Sequence, residues 1–362
     1  MTVELNYSRA ERWLHQLAFS GVEVQKALAD IEDRIYADAL KKIPLASPIF
    51  ITGVPRSGTT VLLDALATIP GLASNTYRDM PFVLCPLLWD QVSRPFRTSA
   101  QSRERLHADG LAVSEDSPEA FEEVLWQAFW PKKYKGQIGI WRANDRNFEF
   151  EDFLRSHMRK TIALHSDAQT PSRRYLSKNN ANIARLTLLP DLFGDCRIVV
   201  PFRNPRDHCA SLLAQHKRFL TIQQQPFARA YMKYLGHYEF GHLLKPIAFP
   251  DTPDDISTAE DLDFWLAYWT AAYRFILSNA GGQVILLDYD ALCANPAEHL
   301  ERLLAALALA PSFTQSLAAR FRAPSEHAPS AGSTTLIEAA EEVHRALVAA
   351  ATLSAPPQAA TR

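Results

Sequence analysis

The chain has 362 residues, of which 47% are hydrophobic and 22% charged, with a formal net charge of −2. That is enough to bury a large core; it excludes a disordered segment and gives no support to a nucleic-acid partner, which needs a basic surface. Cys85, Cys196, Cys209 and Cys293 lie far apart with no CxxC or Cys/His spacing, so they read as free, mostly buried thiols and not as a metal site. The N-terminal MTVELNYSRAERWLHQLAF mixes charges into its apolar residues, and no stretch reaches membrane-spanning length. A cytoplasmic protein without membrane insertion is expected.

From Tyr7 to Leu40 the apolar spacing predicts helix, ended by Pro44 and Pro48. PIFITGV then reads as a short buried strand, GVPRSGTT as a loop, and TTVLLDALATI as a helix stopped by Pro70 and Gly71. LASNTY is a second strand candidate. Residues 83–165 read as mainly helical, with the aromatic run FEEVLWQAFW. RYLSK, CRIVVPF and QVILLDY are further strands. NPRDHCASLLAQHKRF, LDFWLAYWTAAYRFILSN and LIEAAEEVHRALVAAA are helices, and an Ala/Pro/Thr tail follows. Strands alternating with helices predict an α/β fold with a parallel sheet flanked by helices on both faces. We expect one domain over 1–362, with its core at about 48–310. A largely helical acceptor-cap insert at about 83–165 and a C-terminal helix and frayed tail over 311–362 complete it.

In such sheets ligands bind beyond the carboxyl ends of the strands. There GVPRSGTT has the spacing of a Walker A loop, G-x-x-x-x-G-K-[ST], but Thr59 replaces the lysine and the cation sits at Arg56. Gly53 and Gly58 let backbone N–H groups converge, the helix N-terminus adds its positive end, and Ser57, Thr59 and Thr60 carry hydroxyls. An arginine fork inside the loop suits the oxygens of a group attached to a 5′-phosphate. The plainer reading is a turn joining strand to helix.

CRIVVPF runs into Arg203, Asn204-Pro205 reads as an N-cap with proline at the first helical position, and Ser211 follows two turns later. Arg203 and Ser211 can share a second phosphate, which an ATP enzyme does not need. The pair GVPRSGTT and RNPRDHCAS resembles the 5′-phosphosulfate and 3′-phosphate loops of sulfotransferases that use 3′-phosphoadenosine 5′-phosphosulfate (PAPS). The first loop is closest to that of the tyrosylprotein sulfotransferases. SKNNANIARL resembles the family's lysine segment, which places Lys178 at the transferring sulfonate; LLDYDALCANP resembles its YED…NP segment, which places Tyr289 near the adenine. The resemblance implies the P-loop-like sulfotransferase fold, PAPS as donor, adenosine 3′,5′-bisphosphate as product, and no required metal.

Where tyrosylprotein sulfotransferases place a catalytic glutamate, this chain has Tyr77, so the base does not carry over. Asp79, after the second strand candidate, is the first choice as catalytic base, against a turn aspartate before Pro81. Glu119, Glu122 and Glu123 share a helix face beside aromatics, against a solvated acidic face; His107 on a charged helix is a further candidate. Trp126, Trp130 and Trp141 can stack on an acceptor ring or pack the core. The acceptor expected is a carbohydrate, lipid-linked sugar or small-metabolite hydroxyl. Two rivals remain: a P-loop kinase or NTPase with Asp288 as Walker B aspartate on magnesium, and a non-catalytic nucleotide-binding relic. The sequence does not fix the oligomeric state.

Overall fold

Five short strands form the sheet: β1 (Ile49–Ile51), β2 (Leu72–Ala73), β3 (Arg174–Lys178), β4 (Arg197–Phe202) and β5 (Val284–Asp288). The computed structural model describes residues 13–16, 18, 21–94, 103–104, 112–113, 117–165, 173–322 and 332–353. Strand order is β2-β3-β1-β4-β5 and every pairing is parallel. The order reverses about β1, so the loops leaving β1 and β4 diverge from a common crevice. Side chains alternate between two cores, as the pleat requires. Ile49 and Ile51 enter one apolar cluster with Leu62, Leu66 and Leu300, whereas Phe50, Ile198 and Val200 enter the larger one on the other face.

Among the described residues the longer helices are α1 (Val22–Ile35), α2 (Thr59–Leu66), α3 (Pro86–Ser93), α4 (Glu122–Phe129), α5 (Phe148–His165), α6 (Pro205–Ile222), α7 (Pro226–Leu235), α8 (Leu262–Asn279), α9 (Pro296–Ala306) and α10 (Thr334–Leu353). Among the described residues none is long and apolar enough to cross a membrane. The second strand is shorter than expected. After Ala73 the chain turns, because Thr76 and Asp79 form a reciprocal cap around the short turn Tyr77–Asp79. Within 83–165, residues 103–104 pair antiparallel with 112–113, a ladder the helical reading did not anticipate. His107, the start of the N-terminal helix and the tail beyond Leu353 lie outside the described residues.

Helix α4 corrects the solvated-face reading of its acids. Glu122 and Glu123 are 1% and 4% exposed, and both point into the protein. Glu123 holds Arg185 (2.8 Å), the Tyr134 hydroxyl (2.6 Å) and Asn179 (2.7 Å). Glu122 accepts from Ser177 (2.5 Å), Asn182 (2.9 Å) and Trp126 (3.1 Å). The Arg185 guanidinium lies against the rings of both Trp126 (4.0 Å) and Trp141 (4.3 Å), and neither indole is exposed. Two of the three tryptophans considered for an acceptor therefore serve the core; Trp130, half-buried, packs edge-on against Trp141.

On α5, His157 is fully buried, with Nε2 3.4 Å from Asn75 Oδ1. Burial first, and then the charge of Lys160, pull its pKa from 6.5 down to about 3. The folded state thus resists a proton that the unfolded chain accepts, so stability present above pH 6.5 is lost as pH falls toward 3. Urea titrations at pH 6.5 and 5 should show this loss, up to about 1.4 kcal/mol per pH unit from this imidazole. His157→Gln, which keeps a donor toward Asn75, should flatten the slope by that amount; an unchanged slope would contradict the assignment.

Candidate active site

The carboxyl ends of β3, β1 and β4 lie side by side, since Ile51 pairs with Lys178 on one side and with Val199 on the other. Three sequence features consequently emerge at one edge: Lys178, the loop from Gly53, and Arg203. The cations expected to hold an anionic ligand are thus placed together by backbone register.

The loop is tightly specified. Gly53 has no room for a side chain, because an added Cβ would lie 2.9 Å from Ser57 Oγ and 3.2 Å from the Pro201 carbonyl. Arg56 is left-handed (φ 72°), which an L-residue adopts at a cost of about 1 kcal/mol, and such strain clusters at functional sites. Gly58 is left-handed (φ 96°) and caps α2 under the Tyr289 ring. The first N–H groups of α2, from Thr59 and Thr60, have no intrahelical acceptor. The hydroxyls are less available than expected: Ser57 is wholly buried and Thr59 Oγ1 donates to Asn180 (3.3 Å). Thr60 is half-buried.

The second segment meets this loop directly. Arg56 Nε donates to Ser211 Oγ (3.3 Å), and Arg203 Nη1 donates to the Arg56 carbonyl (3.3 Å). Asn204 caps α6 by accepting from the Arg206 N–H (3.0 Å), with Pro205 at the first helical position. Arg206 pairs with Glu341 at the surface (2.7 Å). Two residues escaped the sequence reading. Asp290 holds Arg203 Nε (3.3 Å) and the Asn204 N–H (2.7 Å). Buried His208 bridges Pro55 and α8: Nε2 donates to the Pro55 carbonyl (2.7 Å) and Nδ1 accepts from Trp269 Nε1 (3.0 Å). Burial, reinforced by the charges of Arg203 and Arg56, holds its pKa near 3 against the Pro55 bond, so it is a neutral strut.

A cavity opens beside Pro55 and Lys178. Its polar end carries Asn180, His237 and Glu239, with Asn180 Nδ2 donating to Glu239 (3.2 Å) and His237 Nδ1 3.7 Å from Glu239. Burial would raise the Glu239 pKa, but His237 and then Lys178 outweigh it and hold it at about 2. These two residues follow the left-handed Gly236 that ends α7. The signal in KYLGHYEF was a His and a Glu just past a glycine cap in an aromatic stretch.

The expected bases lie elsewhere. Asp79 is buried, accepting from Asn75 Nδ2 (2.9 Å) and the Thr76 N–H (3.0 Å), and does not line the cavity. Its placement is that of a cap. Glu119 accepts from the Tyr77 hydroxyl and the Ala120 N–H. Of the acids on α4, Glu123 reaches the cavity wall but is committed to Arg185. Asp288, the aspartate of the rival kinase reading, caps the short helix Tyr289–Ala294 by accepting from the Ala291 N–H (3.0 Å). Among the described residues no group of three or more His, Cys, Asp or Glu is placed to hold a metal.

Gly58 offers a sharp test, because an added Cβ would lie 2.2 Å from Tyr289 Cε2. Gly58→Ala should weaken binding of adenosine 3′,5′-bisphosphate by about a hundredfold or more in calorimetry, ~2.7 kcal/mol. Retained affinity would show that the loop tolerates displacement.

Comparison with known proteins agrees with this architecture. No curated protein matches the chain in sequence. The fold is similar to the crystal structure of sulfotransferase STF9 from Mycobacterium avium, at 12% identity over 96% of this chain and 87% of that one, with a TM-score of 0.53. Sulfotransferase STF1 from Mycobacterium tuberculosis H37Rv aligns at 14% identity over 91% and 84%, with a TM-score of 0.49. The family profile described as "Sulfotransferase family" matches residues 48–314, which span β1, the loop, Lys178, Arg203, Ser211 and Tyr289. The chain belongs to the sulfotransferase family and is a sulfotransferase enzyme.

Proposed function

We propose that the protein transfers the sulfonate of PAPS to an acceptor hydroxyl held in the cavity beside Lys178. The observation that supports this reading is the Arg56–Ser211 hydrogen bond, since two segments in contact can serve the two phosphates of one adenosine. The N–H groups of Gly58, Thr59 and Thr60 surround the 5′-phosphate, with Ser57 shaping the turn. Arg203 and Ser211 take the 3′-phosphate, and Tyr289, packed over Gly58, borders the adenine. A carbohydrate, lipid-linked sugar or small metabolite was the acceptor expected from sequence; the aromatic cavity favours the last.

Transfer is in line. The acceptor oxygen attacks sulfur while the bond to the bridging oxygen breaks, and adenosine 3′,5′-bisphosphate leaves. Negative charge grows on that oxygen and on the 5′-phosphate, where Arg56 and Lys178 offset it. The acceptor proton needs a base within reach of the hydroxyl. Glu239, held at about 2, is a poor proton acceptor and a good partner for a cation. His237, on the cavity wall 3.7 Å from Glu239, takes the proton when its imidazole is neutral, and Glu239 orients the ring. The role expected of Asp79 passes to this pair.

Wild-type protein should bind adenosine 3′,5′-bisphosphate without magnesium and ignore ATP; the reverse preference would overturn the donor assignment. Arg56→Ala and Lys178→Ala should each lower kcat by about 10²–10³-fold, on the scale of losing a transition-state donor. His237→Gln should lower kcat by about 10²–10⁴-fold while leaving nucleotide affinity unchanged, and Glu239→Gln should do less. A fully active His237→Gln enzyme would remove the imidazole from the mechanism.

A further inference from the structure

Away from the polar end, the cavity wall is apolar: Ile138, Leu244, Ile247, Phe264, Trp265 and Tyr268 all face it. Few polar atoms lie among them. Trp265 Nε1 donates to the Ala259 carbonyl (2.8 Å), and the Tyr268 hydroxyl accepts from the Ile247 N–H (3.4 Å). A polyol bound here would leave most of its hydroxyls without partners, which binding sites penalise heavily.

One cation on this wall lacks a counter-ion. Lys245 Nζ donates to the Tyr134 carbonyl (2.8 Å) and lies 4.5 Å from the Tyr238 ring centroid, and among the described residues no carboxylate pairs with it. Burial, and then the charge of Lys233, lower its pKa, so the carbonyl and the ring do not fully offset the cost of the charge. The carboxylates on the same wall are committed elsewhere, Glu123 to Arg185 and Glu239 to Asn180 and His237. A half-buried lysine that lines a ligand cavity and has no carboxylate partner among the described residues marks where a ligand can supply negative charge.

We propose that the acceptor is an apolar hydroxy acid, whose hydroxyl reaches the Lys178 and His237 end while its anionic group pairs with Lys245. This rests on the sulfonate-transfer reading and names the substrate class of that site. The balance of the transfer is unchanged, because the acid group takes no part in bond making.

The test titrates wild-type protein, saturated with adenosine 3′,5′-bisphosphate, with ω-hydroxyalkanoic acids of increasing chain length, their methyl esters, and a disaccharide. Calorimetry reads binding, and mass spectrometry reads sulfonate transfer from PAPS. One range of chain lengths should bind and be sulfonated, with esters about tenfold weaker, the scale of one partly buried charge pair. Lys245→Met, which keeps the stem over Tyr238, should erase the acid–ester difference, and Lys245→Arg should preserve it. Equal binding of acid and ester, a difference that survives in Lys245→Met, preference for the disaccharide, or no binding of any acid would each overturn the proposal. The wild-type acid–ester comparison stands even if the variants misfold. Failure of the nucleotide itself to bind is a distinct result, which would remove the donor reading and this one with it.

Discussion

Strand β1 is three residues long, and its pairing on both sides determines where three cations leave the sheet. Ile51 is hydrogen-bonded in register with the strand ending at Lys178 and with the strand leading to Arg203. A slip of one residue would turn Ile49 and Ile51 out of one core and Phe50 out of the other. Hydrophobic burial on both faces therefore fixes an electrostatic arrangement at the edge. The strained Arg56 backbone persists on that foundation, with Gly53 and Gly58 permitting the turn and His208 pinning Pro55 beneath it.

A second constraint sits behind the cavity. The Glu123–Arg185 pair is buried against two indoles and further bonded to Tyr134, Asn179 and Asn182. All of these partners engage Glu123 or the two terminal nitrogens of Arg185, its Nε having no hydrogen-bond partner among the described residues, and removing one partner of such a pair costs about 3–5 kcal/mol. The network joins α4 to the segment following β3, so the wall holding Asn179 and Asn180 cannot drift relative to the sheet. Rigid walls matter here because a displacement of about 1 Å at a reacting centre can cost two orders of magnitude in rate.

Much of this was legible from residues alone. The strand endings at Lys178 and Arg203, the glycine loop and the Asn204-Pro205 cap depend on local chemistry, and the structure places them as that chemistry dictates. Position along a helix could not reveal that Glu122 and Glu123 are buried, because their partners Ser177, Asn182 and Arg185 lie some sixty residues away. Asp79 followed a strand candidate and so pointed to the sheet edge, yet a local cap with Thr76 captured it. His237 and Glu239 escaped because no strand precedes them. They reach the cavity by tertiary packing of the turn after α7, which leaves no periodic trace.

Asp290 gives the nucleotide pocket a character of its own. Its carboxylate grips Arg203 and the Asn204 N–H at the place assigned to the 3′-phosphate. On the proposed reading the guanidinium is held in a fixed attitude before any ligand arrives, so little ordering remains to be done on binding. The same carboxylate repels an incoming dianion, which moderates how tightly the spent nucleotide is retained. An enzyme that must discharge its by-product before each new cycle gains from a pocket that is shaped in advance yet only moderately sticky.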